Sequence, residues 1–154
     1  MMNVILEILG FSLKEIWNYT TRTMINETHN HAIVQEDGKV LHRKGATESL
    51  KGQLGVIPGN MRDGVYVVEG LGNETYLNSS SHGAGRKGSR KWAKNKIKLE
   101  QFKEEMKGIV ANVRKNTIDE SPGAYKDINE VIAAQEGIVI NVVDYIKPII
   151  NVKG

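Results

Sequence analysis

The uneven distribution of glycine is the feature that most constrains how this sequence can fold. Ten of the chain's 16 glycines lie between Gly45 and Gly88, well above the roughly 7% of average usage. Within this segment, the run Val65-Tyr66-Val67-Val68 has the composition of a strand. A loop-rich segment inside a domain is usually either a linker or a ligand site. The strand and the apolar residues between the glycines favour the ligand site.

The part of the chain before the glycine-rich segment predicts a helix and a hairpin. Residues 1–26 carry apolar side chains at spacings of three and four, which indicates an amphipathic helix. Two short strand-like runs, 32–35 and 40–42, flank the pair Asp37-Gly38. An Asp-Gly pair supplies the positive φ values of a tight turn, so a β-hairpin is predicted.

The part after Gly88 predicts mainly helices. Apolar spacing indicates helices over about 98–114, around Ile128–Ile132 and over 138–146, followed by a terminal strand near 149–152. The order of helix, β-hairpin, strands with glycine-rich loops and C-terminal helices favours an α+β fold. We expect residues 1–26 to form a separate helix and residues 27–154 to belong to one domain.

Composition excludes several classes of protein. The chain has 154 residues and no cysteine, which excludes disulfide frameworks, cysteine-ligated metal sites and thiol catalysis. No apolar run approaches the ~18–20 residues that cross a bilayer, and the N-terminus lacks the pattern of a signal peptide. We therefore expect a cytoplasmic protein with no membrane partner. The formal net charge of +3 is too small to imply a nucleic-acid partner by itself.

The segment Ser81-His82-Gly83-Ala84-Gly85-Arg86 is the strongest candidate for chemistry. Glycines on both sides of Ala84 allow backbone N–H groups to surround an anion, and Arg86 adds a planar donor suited to phosphate. His82 at the edge of such a loop could attack a bound phosphate or transfer a proton there. On spacing alone, a glycine-rich turn with a surface histidine remains the alternative.

Two further segments suggest ligands. His29 and His31 would point to the same side of an extended chain, as metal ligands can, but on spacing alone a polar loop with two solvated histidines is favoured. The run 86–98 carries seven basic residues and no acidic one, which fits contact with a nucleic-acid backbone. The candidates for RNA contacts in this run are Arg86, Arg90, Lys91 and Lys94.

Several motifs in order resemble those of the RtcB-type RNA ligases. They are His29-Asn30, His42-Arg43-Lys44-Gly45-Ala46-Thr47, Gly55-Val56-Ile57-Pro58-Gly59-Asn60-Met61, Gly70-Leu71-Gly72-Asn73, the histidine–glycine segment 81–86 with Ser89-Arg90, Asp119-Glu120-Ser121-Pro122, Ala124-Tyr125-Lys126 and the terminal Lys153-Gly154. The resemblance runs from about residue 27 to the end and corresponds to the C-terminal part of the family's fold.

The resemblance implies a reaction and a set of roles. Members are GTP- and manganese-dependent ligases that join RNA ending in a 3′-phosphate or 2′,3′-cyclic phosphate to RNA with a 5′-hydroxyl, in tRNA splicing and RNA repair. His82 would be the catalytic nucleophile that forms a histidine–GMP intermediate, and His29 would be a manganese ligand. The residues implied to bind GTP are Asn30, Pro58, Gly59, Asn60, Met61, Gly83, Ala84, Gly85, Tyr125 and Lys153.

The sequence also departs from the family pattern. Members are about 400 residues or longer, and their N-terminal part supplies an aspartate, a cysteine and two histidines that bind metal, which this sequence lacks. A serine usual after the Pro-Gly-x-Met loop is Val65 here. We therefore expect the isolated chain to be inactive unless a separate chain supplies the N-terminal half. The alternative is a truncated, non-catalytic remnant that binds nucleotide or RNA.

Overall fold

The pair Asp37-Gly38 forms the hairpin turn that it predicts. The computed structural model describes residues 2–10, 12, 14, 25, 28 and 30–152. In it, β1 (Asn30–Val34) and β2 (Val40–Lys44) pair antiparallel with Val34 opposite Val40. Of the pair, only Gly38 takes a positive φ, at +80°, and its N–H donates to the Gln35 carbonyl at 3.0 Å, so the turn begins at Gln35. The hairpin prediction is therefore confirmed.

The described chain mixes short helices and short strands, which confirms the α+β class. The helices are α1 (Met2–Ile8), α2 (Arg90–Lys96), α3 (Leu99–Glu105) and α4 (Ile128–Ala133). The further strands are β3 (Ala46–Glu48), β4 (Leu54–Pro58), β5 (Val65–Gly70), β6 (Ser79–Ser81), β7 (Val110–Ala111), β8 (Ile140–Ile146) and β9 (Ile150–Asn151). Single 3-10 turns cover Glu74–Tyr76, Lys115–Glu120 and Pro122–Ala124.

The central sheet is antiparallel and has the strand order β4-β5-β8. The strand predicted at Val65 is β5. It lies in the middle of this sheet and pairs with β4 on one side and β8 on the other. The register on the β8 side shifts between Val67 and Val68, which marks a β-bulge. Separately, β3 pairs antiparallel with β6, and β7 pairs parallel with β9.

One of the predicted helices is a strand in the structure, and another is shorter than predicted. Residues 140–146 form the strand β8, after a turn at 138–139, instead of a helix, because the β-branched residues of this segment favour the extended chain that pairs with β5. The helix predicted over 98–114 ends at Glu105. Gly108, at a φ of +85°, breaks it, and the next residues pair with β9 as β7. The helix around Ile128 and the terminal strand are confirmed as α4 and β9.

The predicted N-terminal helix is described only at its start. Helix α1 covers Met2–Ile8 and is followed by Gly10 at a φ of +87°. Most of the range 11–26 lies outside the described residues. Among the helices that the structure describes, none is long and apolar enough to cross a membrane.

The buried apolar side chains form two clusters. One joins the central sheet to α4, and its members are Ile57, Val68, Ala84, Ile128, Ile132, Val139 and Ile140. The other packs α2 and α3 against the 3-10 turns, and its members are Met61, Ala93, Ile97, Phe102, Met106, Ile118 and Ala124. Ala84 from the first cluster and Met61 from the second both line one cavity. The candidate site therefore lies where the two clusters meet.

Candidate functional site

Strand pairing places His82 at the edge of the candidate site. Thr47 of β3 pairs with Ser80 of β6, and the two hydroxyl groups are 3.2 Å apart in a buried hydrogen bond. The ladder ends one step beyond β6, where the His82 N–H donates to the Gly45 carbonyl at 3.3 Å. The position of a Cβ on Gly45 would lie 3.5 Å from Cδ2 of the His82 ring, an ordinary van der Waals distance, so the imidazole packs directly beside this glycine.

Gln135 holds the residue before His82. Its Oε1 accepts from the Ser81 N–H and its Nε2 donates to Ser81 Oγ, each at 2.8 Å. The same Nε2 donates to the Val131 carbonyl in α4, also at 2.8 Å. The bidentate contact fixes the end of β6 to α4 across 54 positions of sequence, so the backbone that carries His82 has little freedom to shift.

The glycine loop 83–85 packs directly on β4. The Ala84 N–H donates to the Pro58 carbonyl at 2.9 Å. A Cβ on Gly83 would approach that same oxygen to 3.0 Å, which is closer than side chains normally allow. Gly85 has a φ of +73° and open space where a Cβ would be. In this arrangement the Ala84 amide shapes the loop, because its hydrogen bond is already made within the protein.

The loop after β4 is ordered by Asn60. Asn60 Oδ1 accepts from the N–H groups of Arg62 and Asp63 at 2.9 and 3.0 Å, and Asn60 Nδ2 donates to Asp63 Oδ2 at 2.7 Å. The Gly59 N–H closes the loop on the Gly64 carbonyl at 2.8 Å. Side-chain-to-backbone bonds of this kind fix a turn without regular secondary structure.

The two loops and the turn at Tyr125 surround a cavity of about 670 Å³. Nine of the eleven residues predicted to react with or bind the nucleotide line it; of the other two, Asn30 does not, and Lys153 lies outside the described residues. Arg86, Arg90 and Glu120 also line it. The volume lies within the roughly 300–1,000 Å³ of small-molecule sites. Residues that lie more than 60 positions apart in sequence are thus brought to one cavity.

One side of the cavity is a network of charged side chains centred on Glu120. Glu120 Oε1 accepts from Arg86 Nη2 at 2.7 Å and from Arg90 Nη1 at 2.5 Å. Glu120 Oε2 accepts from the Tyr125 hydroxyl at 2.6 Å. The Arg86 guanidinium also stacks over the Tyr125 ring, with its Cζ 4.8 Å from the ring centroid. We call these four side chains the Glu120 network, and the side of the cavity that they form the cavity wall.

Asp119 makes further hydrogen bonds to both arginines of the Glu120 network. Its carbonyl accepts from Arg86 Nη1 and its Oδ2 accepts from Arg90 Nη1 at 2.8 Å. Burial is the largest single influence and raises the pKa of Asp119, but the hydrogen bond from Arg90, a backbone hydrogen bond and the charges of Lys94 and Arg90 together outweigh it, so the pKa falls below its usual 3.8. The same hydrogen bond raises the pKa of Arg90. Both groups are therefore charged at neutral pH.

Tyr125 is the titratable group that the network perturbs most visibly. Burial raises the pKa of Tyr125 to about 12, and the adjacent Glu120 carboxylate contributes in the same direction. The hydroxyl therefore stays protonated and acts as a hydrogen-bond donor to Glu120 throughout the physiological range.

The structure changes how the basic run 86–98 is interpreted. The run contains no acidic residue in sequence, yet Asp119 and Glu120 neutralise part of it in space. Arg86 and Arg90 are paired with these carboxylates, and Lys94 Nζ lies 3.6 Å from Asp119 Oδ1. Lys91 is exposed on α2. The four predicted RNA contacts are thus three ion-paired side chains and one exposed lysine.

The remaining predicted residues lie away from the cavity or outside the described chain. Asn30 begins β1 opposite Lys44, next to Gly45 and thus near His82, but it does not line the cavity. His29 and Lys153 lie outside the described residues. His31 is described, and its Nε2 lies 3.3 Å from Arg43 Nη1. Within the described ranges, no group of three or more His, Cys, Asp or Glu side chains could hold a metal ion.

Sequence reasoning assigned no role to Glu120, Asp119 or Gln135. The first two belong to the motif Asp119-Glu120-Ser121-Pro122. Two adjacent carboxylates in a chain that also has a run of seven basic residues were an available signal for ion pairing. Gln135 carried no such signal, because a glutamine in a polar helix end is ordinary. Its contact with Ser81 depends on how α4 packs against β6.

Comparisons with known proteins identify the family. The whole chain, residues 1–154, matches the family model described as tRNA-splicing ligase RtcB. It is 36% identical over 159 residues to the RNA-splicing ligase RtcB of Escherichia coli K12, and 35% identical over 153 residues to the tRNA-splicing ligase RtcB of Aeropyrum pernix. These matches cover 100% and 82% of the chain. The chain therefore belongs to the RtcB family.

The match covers only part of each relative. The chain corresponds to the C-terminal 39% of the Escherichia coli protein and to 32% of the Aeropyrum pernix protein. A tRNA-splicing ligase RtcB of Thermococcus kodakarensis, 34% identical over 154 residues, is also covered over 32% of its length. The chain thus spans about two fifths or less of the curated relatives that it matches.

Proposed function

We propose that this chain supplies the nucleotide cavity and the nucleophile of a GTP-dependent RNA ligase. The ligase would join RNA 3′-phosphate or 2′,3′-cyclic phosphate ends to 5′-hydroxyl ends through a histidine–GMP intermediate, in tRNA splicing or RNA repair. The observation that carries the proposal is the placement of His82 in one cavity with the glycine loop 83–85 and two arginines. Membership of a family whose relatives are named RNA-splicing ligases supports it.

The chemistry of the cavity residues suits a nucleoside triphosphate. Arg86 and Arg90 bring two cations to one wall, and guanidinium groups suit phosphate oxygens. Tyr125 offers an aromatic ring at the same wall for the base. Gly85 leaves open space beside the loop, so phosphate can approach the backbone there. The His82 imidazole would attack the α-phosphorus, and pyrophosphate would leave as the new N–P bond forms.

The later steps, transfer of GMP and joining of the RNA ends, would take place at the same cavity. GMP would pass from His82 to the RNA 3′-phosphate, and the 5′-hydroxyl of the second RNA would then displace GMP. Exposed Lys91 and the outer face of α2 would contact the RNA backbone. Manganese belongs to the proposal through the family resemblance alone, with His29 as one ligand. Since the described residues provide no three-ligand group, further ligands would come from another part of the ligase.

Transfer of label from GTP tests this proposal. We would incubate the chain with α-labelled GTP and manganese, alone and together with the N-terminal part of the Escherichia coli relative. We expect label on the wild-type chain in the complemented mixture, none on His82→Ala, and none on the isolated chain. His42→Ala, which removes an exposed hairpin histidine, is the matched control and should be labelled like the wild type.

The same experiment separates the two candidate functions. The second candidate is a non-catalytic remnant that binds nucleotide or RNA in the same cavity, whose lining includes two arginines, without transfer to His82. Absence of label in the complemented mixture, with GTP binding retained, would establish that candidate and reject the ligase. Equal labelling of His82→Ala would reject His82 as the nucleophile.

A further inference from the structure

Glu120 occupies a central position that neither the family comparison nor the sequence motifs explain. One of its carboxylate oxygens accepts from both arginines of the cavity wall, and the other accepts from the Tyr125 hydroxyl. Only 16% of its side chain is exposed. A mostly buried carboxylate that bonds three wall residues restrains where all three side chains point.

We propose that Glu120 is a positioning residue for nucleotide recognition, which holds Arg86, Arg90 and Tyr125 in the arrangement that binds the phosphates and the base. This inference rests on the proposed function, because it takes the cavity as a nucleotide site. Glu120 acts through its three partners and does not itself contact the reacting atoms.

The physical need for such a residue comes from charge and from flexibility. Two guanidinium groups that share one acceptor oxygen repel each other, and the Glu120 carboxylate between them offsets that repulsion. Arginine side chains also lose substantial rotamer freedom when a ligand immobilises them. Glu120 fixes them before the ligand arrives, and preorganisation of this kind improves affinity.

The stack of Arg86 on Tyr125 couples the two halves of the wall. Arg86 Nη2 donates both to Glu120 and to the Tyr125 hydroxyl, the latter at 3.0 Å. The backbones are also joined, because the Lys87 N–H donates to the Ala124 carbonyl and the Lys126 N–H donates to the Gly85 carbonyl. Removal of the Glu120 charge would leave the backbone pairing and the Asp119 contacts in place, while weakening the contacts that hold both arginines and Tyr125 together.

The variant Glu120→Gln tests the proposal, since it keeps the size of the side chain and removes its charge. Glu48→Gln is the matched control, because Glu48 is paired with a buried arginine, Arg43, and neither residue lines the cavity. The first measurement is binding of GTP to the full chain by calorimetry, repeated with inorganic pyrophosphate to isolate the phosphate contacts. We expect Glu120→Gln to weaken GTP and pyrophosphate binding about tenfold and Glu48→Gln to change neither.

The sign of this effect distinguishes positioning from simple electrostatics. Removal of a negative charge from the wall of an anion site would by itself strengthen the binding of a phosphate. Weaker binding by Glu120→Gln therefore supports positioning. Unchanged or tighter binding, while the wild type binds GTP, overturns the proposal and leaves the proposed function intact.

A second measurement does not depend on nucleotide. Alkaline titration of tyrosine absorbance should show that Tyr125, assigned by comparison with Tyr125→Phe, ionises at lower pH in Glu120→Gln than in the wild type. An unchanged titration would show that Glu120 does not hold Tyr125, and would overturn the proposal. If the wild type binds neither GTP nor pyrophosphate, the proposed function is wrong, and a shifted titration would still confirm that Glu120 positions the wall.

Discussion

The cavity wall and the β1–β2 hairpin are both polar in sequence but are stabilised in different ways. The wall rests on a buried apolar cluster, and its charged side chains are bonded to one another. The hairpin exposes most of both faces, including Val34 at 72% and Val40 at 50%. Its main link to the rest of the chain is Arg43, which is 5% exposed and donates to Ser79 Oγ and the Leu77 carbonyl.

The difference shows what each region requires. A wall that orders charged groups toward a ligand needs a rigid base, because a loose base would let the arginines move apart. A two-stranded hairpin has no such base, and isolated hairpins are marginally stable in water. The wall should therefore depend on the core beneath it, and the hairpin on one arginine.

The largest expected effect is on the core beneath the wall. Phe102 is completely buried in the cluster that packs α2 and α3. Phe102→Ala should lower the free energy of unfolding by about 3–5 kcal/mol, measured by urea denaturation. Val34→Ala in the hairpin should change it by less than about 0.5 kcal/mol. Equal effects of the two substitutions would contradict the contrast between the regions.

The next effect concerns the link between hairpin and body. Arg43→Met should lower the free energy of unfolding by about 2–3 kcal/mol, because it removes charged hydrogen bonds from a buried site. Hydrogen exchange of the β1 and β2 amides should accelerate in this variant. Lys39→Met is the control, since the Lys39–Asp37 pair in the same hairpin is exposed and worth little. Similar exchange in both variants would show that Arg43 does not anchor the hairpin.

A smaller effect should appear as pH dependence of the wall. The pKa of Asp119 is lowered in the folded chain, so its ion pairs stabilise the fold above the usual value of 3.8. That contribution is lost as pH falls through the folded pKa. In Asp119→Asn, the free energy of unfolding should therefore decline less steeply below pH 3.8 than in the wild type, by chemical denaturation at each pH. Parallel declines would mean that Asp119 carries no such linkage.

The sequence predicted the elements that depend on local chemistry. The hairpin follows from the turn preference of Asp37-Gly38, and the strand at Val65 follows from its β-branched residues. The segment 138–146 was predicted wrongly, because its apolar spacing suits a helix while its partner strand β5 lies about 75 residues away. Periodicity cannot report a pairing with a distant strand.

The motifs predicted which residues form the candidate site, but they did not predict the ion pairs and hydrogen bonds between its side chains. The resemblance named His82, the glycine loop and Tyr125, which the structure brings to one cavity. It gave no role to Glu120, and the basic run suggested free cations at Arg86 and Arg90. Their pairing depends on the 3-10 turn Lys115–Glu120 folding against α2. A contact made by packing of this kind has no signature in local sequence.

The most direct test of the central claim is a titration of the isotopically labelled chain with GTP, followed by the amide resonances. The claim is that the cavity at His82 binds nucleotide and that the hairpin does not. We expect the amides of Gly83, Gly85 and Tyr125 to shift with saturation while those of Val34 and Val40 stay unchanged. Shifts confined to the hairpin, or no saturable shift at Gly83 and Gly85, would contradict the claim.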